Sequence, residues 1–593
     1  MAPAKLFRVL ICIVLTATAG LAEPNYALET PGADKDLHNA LRASSLVLAT
    51  QGQDTDPQEL LAAAQADYAR LLGALYANAR YGGVVSILFD GREVSSIPPL
   101  SPPQDVRRVR VRVDPGPLYL FAETQVRPLV PGTELPEGFR RGQPAETGII
   151  REAATASVDA WRGAGHAKAE VTEQRIVARH AEDRLSATLT LTPGPRLRFG
   201  TISVSGNEDV RSRRIRTISG LEEGRQYDPV EIDRAVRRLR RTGSFASVTV
   251  SETDTIGPND TLPLDIEVVE QTPRRFGFGA EYSTIEGVRL SGFWLHRNFL
   301  GGAERFRVDG AIAGLGGETG GVDYNFGMRY GRPATPRADV DLFAELSFEL
   351  LDEPDFTSNT TEFTLGFTRY ATDELVVTFG LGYLYSDVED DFGRETFNLL
   401  TLPLGAELDR RNNVLNPTDG YYIDLEVTPF LGLTGTRSGG QLKLDARGYQ
   451  HVTDSTTVAA RVQFGSLWGP SLTDSPPFYR FYSGGGGTVR GQDYQSLGVD
   501  VGTDRTGGRS FLGLSGEVRA SVTDNIEAVG FIDWGYIGAE EFPDFTGDSH
   551  AGAGLGIRYN TGIGPIRLDL ATPITGPSDS AGVYIYVGIG QAF

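Results

Sequence analysis

From about residue 275 onward the chain reads with a strict period of two. Val322, Tyr324, Phe326, Met328 and Tyr330 alternate with Asp323, Asn325, Gly327 and Arg329. Val340, Leu342, Ala344, Leu346, Phe348 and Leu350 alternate with Asp341, Phe343, Glu345, Ser347 and Glu349, where Phe343 alone breaks the polar face. A period of two sends successive side chains to opposite faces of a strand, so each run has one apolar and one charged face. Runs of about ten residues of this kind suit a barrel with lipid outside and water inside, the only β-structure that leaves no backbone group unpaired in a bilayer. A soluble sandwich would share its inner face between two sheets and use shorter strands. Runs start near 276, 288, 305, 321, 339, 361, 375, 397, 421, 440, 457, 510, 525, 550, 564 and 583, which predicts sixteen strands, an even number as is usual for bacterial single-chain barrels. The predicted barrel occupies 274–593, with compact links at one end and longer acidic loops, such as 352–360 and 386–395, at the other.

Residues 1–22 carry Lys5 and Arg8, then an apolar run and a Gly20-Leu21-Ala22 site, the pattern of an export signal. Its removal takes the formal charge from −21 to −23 and discards Cys12, the chain's one cysteine. A mature chain of that composition has no disulfide, thiolate metal site or cysteine nucleophile, and its acidity argues against binding a nucleic-acid backbone. The six histidines are scattered without metal-ligand spacing, and neither GxSxG nor HExxH occurs. The sequence therefore gives no reason to expect an enzyme, a cofactor or a metal.

Before the barrel the rhythm is that of a repeat. Pro115-Gly116-Pro117 closes one alternating run, Pro193-Gly194-Pro195 another, and Pro273 follows a third, a spacing close to 80 residues. Each unit holds a helix that stops at glycine and feeds a strand, at Gly82-Gly83, Gly165 and Gly243. In the third, Asp228-Pro229-Val230-Glu231 supplies an N-cap, an N1 proline and an N3 glutamate, and Ile232, Val236 and Leu239 share one face. Three small α+β modules, each a strand, two helices and two strands, are predicted at 23–116, 117–195 and 196–273. Arg234, Arg237, Arg238, Arg240 and Arg241 form a basic helix face, read as solvated in preference to a contact with anionic headgroups.

One connection, about 40 residues between Trp468 and Ser510, far exceeds ordinary loop length, and such loops are usually functional. Within it four glycines, 484–487, precede Thr488-Val489-Arg490-Gly491-Gln492-Asp493-Tyr494. A phosphate loop would need Gly-Lys-Ser/Thr where this chain has Gly491-Gln492-Asp493. An arginine carried into a barrel lumen needs anionic partners. Glu517 and Asp533, on strands twelve and thirteen with inward parity, are the expected carboxylates.

The tandem units resemble POTRA modules, and the loop motif Val489-Arg490-Gly491 resembles the sixth extracellular loop of the BamA/TamA superfamily. Further pieces follow in that family's order: Asn298-Phe299-Leu300-Gly301-Gly302, Asp409-Arg410-Arg411-Asn412 with Asn416-Pro417-Thr418-Asp419-Gly420-Tyr421-Tyr422, Phe531-Ile532-Asp533-Trp534-Gly535, and Gly564-Pro565-Ile566-Arg567-Leu568-Asp569. Gln492 departs from it, since the family's loop often has an aromatic there. Three modules look like the TamA-like branch. The resemblance implies an outer-membrane location in a diderm bacterium with periplasmic modules, an inner-membrane-anchored partner of the TamB type, and unfolded outer-membrane or autotransporter proteins as clients. It also implies pairing of Arg490 with Asp533 and Glu517. A two-partner-secretion-type exporter and a passive pore are the rival readings. Templating would use a weak seam between the first strand, 276–283, and the last, 583–593, with inward Gly277 and Gly279 expected to face Gly588 and Gly590, and Phe593 closing the strand.

Overall fold

The computed structural model describes residues 24–589 apart from 54, 104, 285, 318, 319, 454, 563 and 577–581. The expected export signal, Gly590 and Phe593 lie outside the described residues. Two compact units emerge: one holds the chain through Arg198 with Gly224–Val230 and Pro258–Thr261, the other Phe199–Glu223, Glu231–Gly257 and everything from Leu262 on.

The first unit contains two α/β modules. In the first, strands Asn25–Glu29, Val84–Phe89, Arg92–Glu93 and Arg108–Asp114 form one sheet, covered by helices Lys35–Ser44, Leu46–Ala49 and Pro57–Ala77. Alternation in Arg108–Asp114 puts Val109, Val111 and Val113 in the core, against Leu61, Leu71 and Leu75 of the long helix. Asp67 is buried in that helix and accepts the amides of Leu46 and Val47 at 2.7 and 3.0 Å, so it caps the short helix from the side. In the second module, strands Leu120–Arg127, Glu170–Arg179 and Arg184–Thr192 are covered by the helix Thr147–Gly163. The module repeat predicts two helices here, and one is present among the described residues. Pro128, Pro131, Pro136 and Pro144 break up the intervening stretch.

The second unit joins a third sheet, Arg198–Ser205, Phe245–Glu252 and Thr261–Glu270, with helices Ser212–Ser219 and Pro229–Arg241, to a closed antiparallel barrel. All sixteen predicted strands are present. The eighth is split into Gly393–Thr401 and Leu404–Asp409, and both pieces pair with the seventh and ninth strands. Pro403 lies at the split; having no N–H of its own, it still accepts the Gly380 amide at 2.9 Å. On the outer face Leu365, Phe367, Phe379 and Leu381 are exposed as the alternation requires. Phe343 does point into the lumen, where the Arg329 guanidinium lies 4.5 Å above its ring and Gly366 leaves room for it.

One expectation fails. The acidic stretches 352–360 and 386–395 were expected to be loops, yet strand five runs Val340–Glu353 and strand six starts at Phe356, with Glu353 paired to Phe356. Likewise strand seven continues to Asp390, paired with Gly393 of strand eight. The ladder carries on beyond the apolar band because a charged face does not interrupt backbone pairing.

Candidate functional site

Residues 469–509, between strand eleven (Thr456–Trp468) and strand twelve (Ser510–Ser521), fold back into the lumen. Phe481 and Leu497 of this segment are buried in an apolar cluster with Phe356, Phe397, Phe430 and Phe511 of the wall, and Phe478, Tyr479 and Tyr482 pack against it. Arg480 sits at the same level, its side chain 1% exposed, with Nη1 on Asp390 at 3.3 Å and Nη2 on the Ser475 carbonyl at 2.6 Å. Sequence reading missed this residue, since an aperiodic loop offers no parity to say which arginine turns inward.

Deeper, Arg490 is 2% exposed. Its Nε and Nη2 donate to Asp533 at 2.7 and 3.0 Å, a bidentate fork. Nη1 donates to Glu517 at 2.8 Å and to Asp569 at 3.2 Å, and the guanidinium carbon lies 3.6 Å from the centre of the Phe531 ring. Arg519 reaches the other Glu517 oxygen at 2.9 Å, and Arg558 pairs with both oxygens of Asp569. Three arginines and three carboxylates thus share one buried cluster, which lets charges desolvated by the loop offset one another. Asp569, Arg519 and Arg558 were not singled out from the sequence. They have the same inward parity as Glu517 and Asp533, on strands twelve, fourteen (Asp548–Tyr559) and fifteen (Ile566–Thr575), and parity was the available signal.

Glycines open the seat. Gly491 has φ +90°, and a Cβ there would lie 2.7 Å from the Thr572 carbonyl oxygen. One on Gly535 would fall 2.9 Å from Cγ2 of fully buried Val489. Gln492, in place of an aromatic, is wholly buried and donates through Nε2 to the carbonyls of Ala551 and Thr575 at 2.7 and 2.8 Å. It thereby bridges strands fourteen and fifteen where their register shifts at Ala551/Gly552.

The seam is short. Strand one (Arg274–Ser283) pairs with strand two over ten residues, but with strand sixteen (Tyr584–Ile589) only at Tyr282–Val587 and Ser283–Tyr586 among the described residues. Gly588 and Ile589 remain paired to strand fifteen and not to strand one. On their other sides Gly277 and Gly279 lie opposite Phe293 and Ser291 of strand two, and Gly588 opposite Arg567 of strand fifteen; among the described residues Gly588 is not paired to either glycine of strand one, and Gly590 lies outside them. Gly277 is a glycine because the Phe293 ring occupies the space of its Cβ.

Residues 298–593 match the Omp85 superfamily domain, and residues 197–271 match the POTRA surface antigen variable number repeat. The chain belongs to the Omp85 superfamily. It is 23% identical over 443 residues, 70% of its length, to the outer membrane protein assembly factor BamA of Nitratidesulfovibrio vulgaris. It spans about half, 53%, of that relative. Among solved structures, BamA from Haemophilus ducreyi lacking POTRA domains 1–3 superposes with a TM-score of 0.61 at 17% identity, over 79% of this chain and all of the other. CdiB from Acinetobacter baumannii gives 0.52 at 12%, over 80% and 90%. These likenesses speak for the fold.

As an Omp85 protein the chain is an outer-membrane barrel with periplasmic POTRA modules. The compact turns at 298–304, 333–339 and 371–374 therefore face the periplasm, and the basic helix Pro229–Arg241 meets the last two of them. Arg238 forks onto Asp339 at 2.8 and 2.7 Å and donates to the Ser219 carbonyl at 3.0 Å. Arg237 reaches Asp373 at 3.1 Å, and Arg241 lies 3.5 Å over the Tyr370 ring. The face expected to be solvated is thus paired with the barrel, because its turns present carboxylates at matching positions. The hydrogen bonds from Arg238 hold the Asp339 carboxyl below its ordinary value. A depressed folded value means that the stabilisation is complete above about pH 4 and is lost as pH falls through the depressed value. Spin labels on the third module and the barrel rim should therefore report loosening in acid. In Asp339→Asn that spacing should respond less to pH; identical titrations in both proteins would sink the assignment.

Proposed function

We propose that this Omp85 protein is the outer-membrane subunit of a translocation and assembly module. It templates the insertion or translocation of unfolded client proteins such as autotransporters, together with an inner-membrane-anchored TamB-type partner. The observation that carries this reading is the short ladder of the seam among the described residues: strand one pairs with strand sixteen at Tyr282–Val587 and Ser283–Tyr586, whereas the next residues, Gly588 and Ile589, are paired to strand fifteen. A strand edge in lipid is costly unless another strand fills it, and β-augmentation is the general way an edge accepts an extended chain. The loop packed through the lumen weighs against the passive pore. A two-partner-secretion-type exporter is separated from the assembly factor by the identity of the captured client.

The test places a photo-crosslinking residue at Phe278, 91% exposed on strand one, and for comparison at Leu365, exposed on strand six away from the seam. Adducts with an autotransporter client during its assembly are expected at 278 and not at 365. Equal capture at the two positions would remove strand one as the template.

A further inference from the structure

The four glycines 484–487 are not explained by the arginine's seat. Gly484 has φ +119°, and a Cβ there would lie 2.0 Å from the Asp493 carbonyl oxygen; Gly485 has φ +87°, and a Cβ would lie 2.6 Å from Glu286 Oε1. Gly486 then sits astride the seam. Its amide donates to Glu286, in the turn after strand one, at 2.8 Å. A Cβ on it would meet the Tyr586 ring of strand sixteen at 3.3 Å. Five residues on, the Gly491 amide donates to the Tyr586 hydroxyl at 3.1 Å, and Tyr584 of the same strand donates to Asp493 at 3.0 Å. One loop therefore holds both edges of a seam whose own ladder has two residue pairs among the described residues.

We infer that Glu286 and Tyr586 are positioning residues through which the lumen loop clamps the seam, so that the edges separate when the loop releases either one. The inference rests on the reading of the seam as the client gate and adds how that gate is held shut. Two of the glycines follow from it: a Cβ on Gly485 would press on the Glu286 carboxylate and one on Gly486 would crowd the Tyr586 ring, whereas Gly484 makes room for the Asp493 carbonyl and a Cβ on Gly487 would meet open space. Glu286 is a suitable hook because a hydrogen bond to a carboxylate is stronger than one between neutral groups.

Amide hydrogen exchange on the full mature chain in lipid nanodiscs, without client, tests this, because exchange reads an opening equilibrium however rarely the open state is populated. Seam peptides containing Tyr282, Ser283 and Val587 should exchange about tenfold faster in Glu286→Ala and about fivefold faster in Tyr586→Phe, the factors expected for losing a charged and a neutral hydrogen bond. Glu286→Gln, whose amide oxygen still accepts from Gly486, should stay near the parent. Strands five to seven serve as the control for folding and should not change. Unchanged seam exchange in the Glu286→Ala/Tyr586→Phe pair, or equal acceleration in strands five to seven, would overturn the clamp. If the paired variant fails to insert, Tyr586→Phe alone carries the same test, since it deletes one oxygen. A loosened seam with client assembly intact would instead sink the client-gate reading and leave the clamp standing.

Discussion

Arg490→Ala is expected to unseat the lumen loop, at a cost of about 3–5 kcal/mol, the range for removing one partner of a buried ion pair. The variant leaves Glu517, Asp533 and Asp569 facing Arg519 and Arg558, all buried, so one negative charge has no counterpart. Protease cleavage within 484–497 should appear while the barrel still shows heat-dependent gel mobility. Asp533→Ala should cost less, because Arg490 keeps Glu517 at 2.8 Å and Asp569 at 3.2 Å. Combining the two should cost less than their sum, as residues acting as a unit do. Arg490→Lys should not rescue, since an ammonium cannot hold three carboxylates through a planar fork. Additive losses, or an Asp533→Ala defect larger than that of Arg490→Ala, would refute the shared cluster.

Covalent closure of the seam should abolish client assembly altogether. Tyr282 and Val587 are directly opposed on the lipid face, so Tyr282→Cys with Val587→Cys places two thiols across the seam, with a single native cysteine, Cys12, in the chain. Opposed positions of an antiparallel pair bring the Cα atoms within disulfide range. The oxidised protein should stay folded and inserted, lose assembly of its clients, and regain it with reductant. A pore would conduct regardless of the seam. Full assembly by completely crosslinked protein would end lateral gating as the mechanism, while the fold would stand on its strand periodicity.

Period-two alternation was enough to locate every barrel strand, because inside and outside of the wall differ in chemistry at each residue. Parity also narrowed the partners of Arg490 to inward carboxylates. It could not rank Glu517 and Asp533 above Asp569, nor foresee Arg519 and Arg558, because which inward charges meet depends on how strands twelve to fifteen stagger around the wall. Contacts between elements were less legible still. The basic face of Pro229–Arg241 carries no mark of the turn that covers it, and the clamp on Glu286 joins residues 200 positions apart in sequence. At Gly277 parity placed the glycine on the inner face but did not supply the reason for it, the room it makes for the Phe293 ring of strand two.

The position of the loop in the chain orders the protein's own folding. Asp533, Glu517 and Asp569, which hold Arg490, and Tyr586, which holds Gly491, all follow the loop in sequence. A chain emerging from its N-terminus therefore carries the loop with nowhere to seat it until strands twelve to sixteen have formed. These are long-range pairings, the slow kind, and until they form two strand edges stand open, the condition under which sheets aggregate. Closing the barrel and seating the loop thus become one late step, and a nascent chain that stalls before residue 586 has neither.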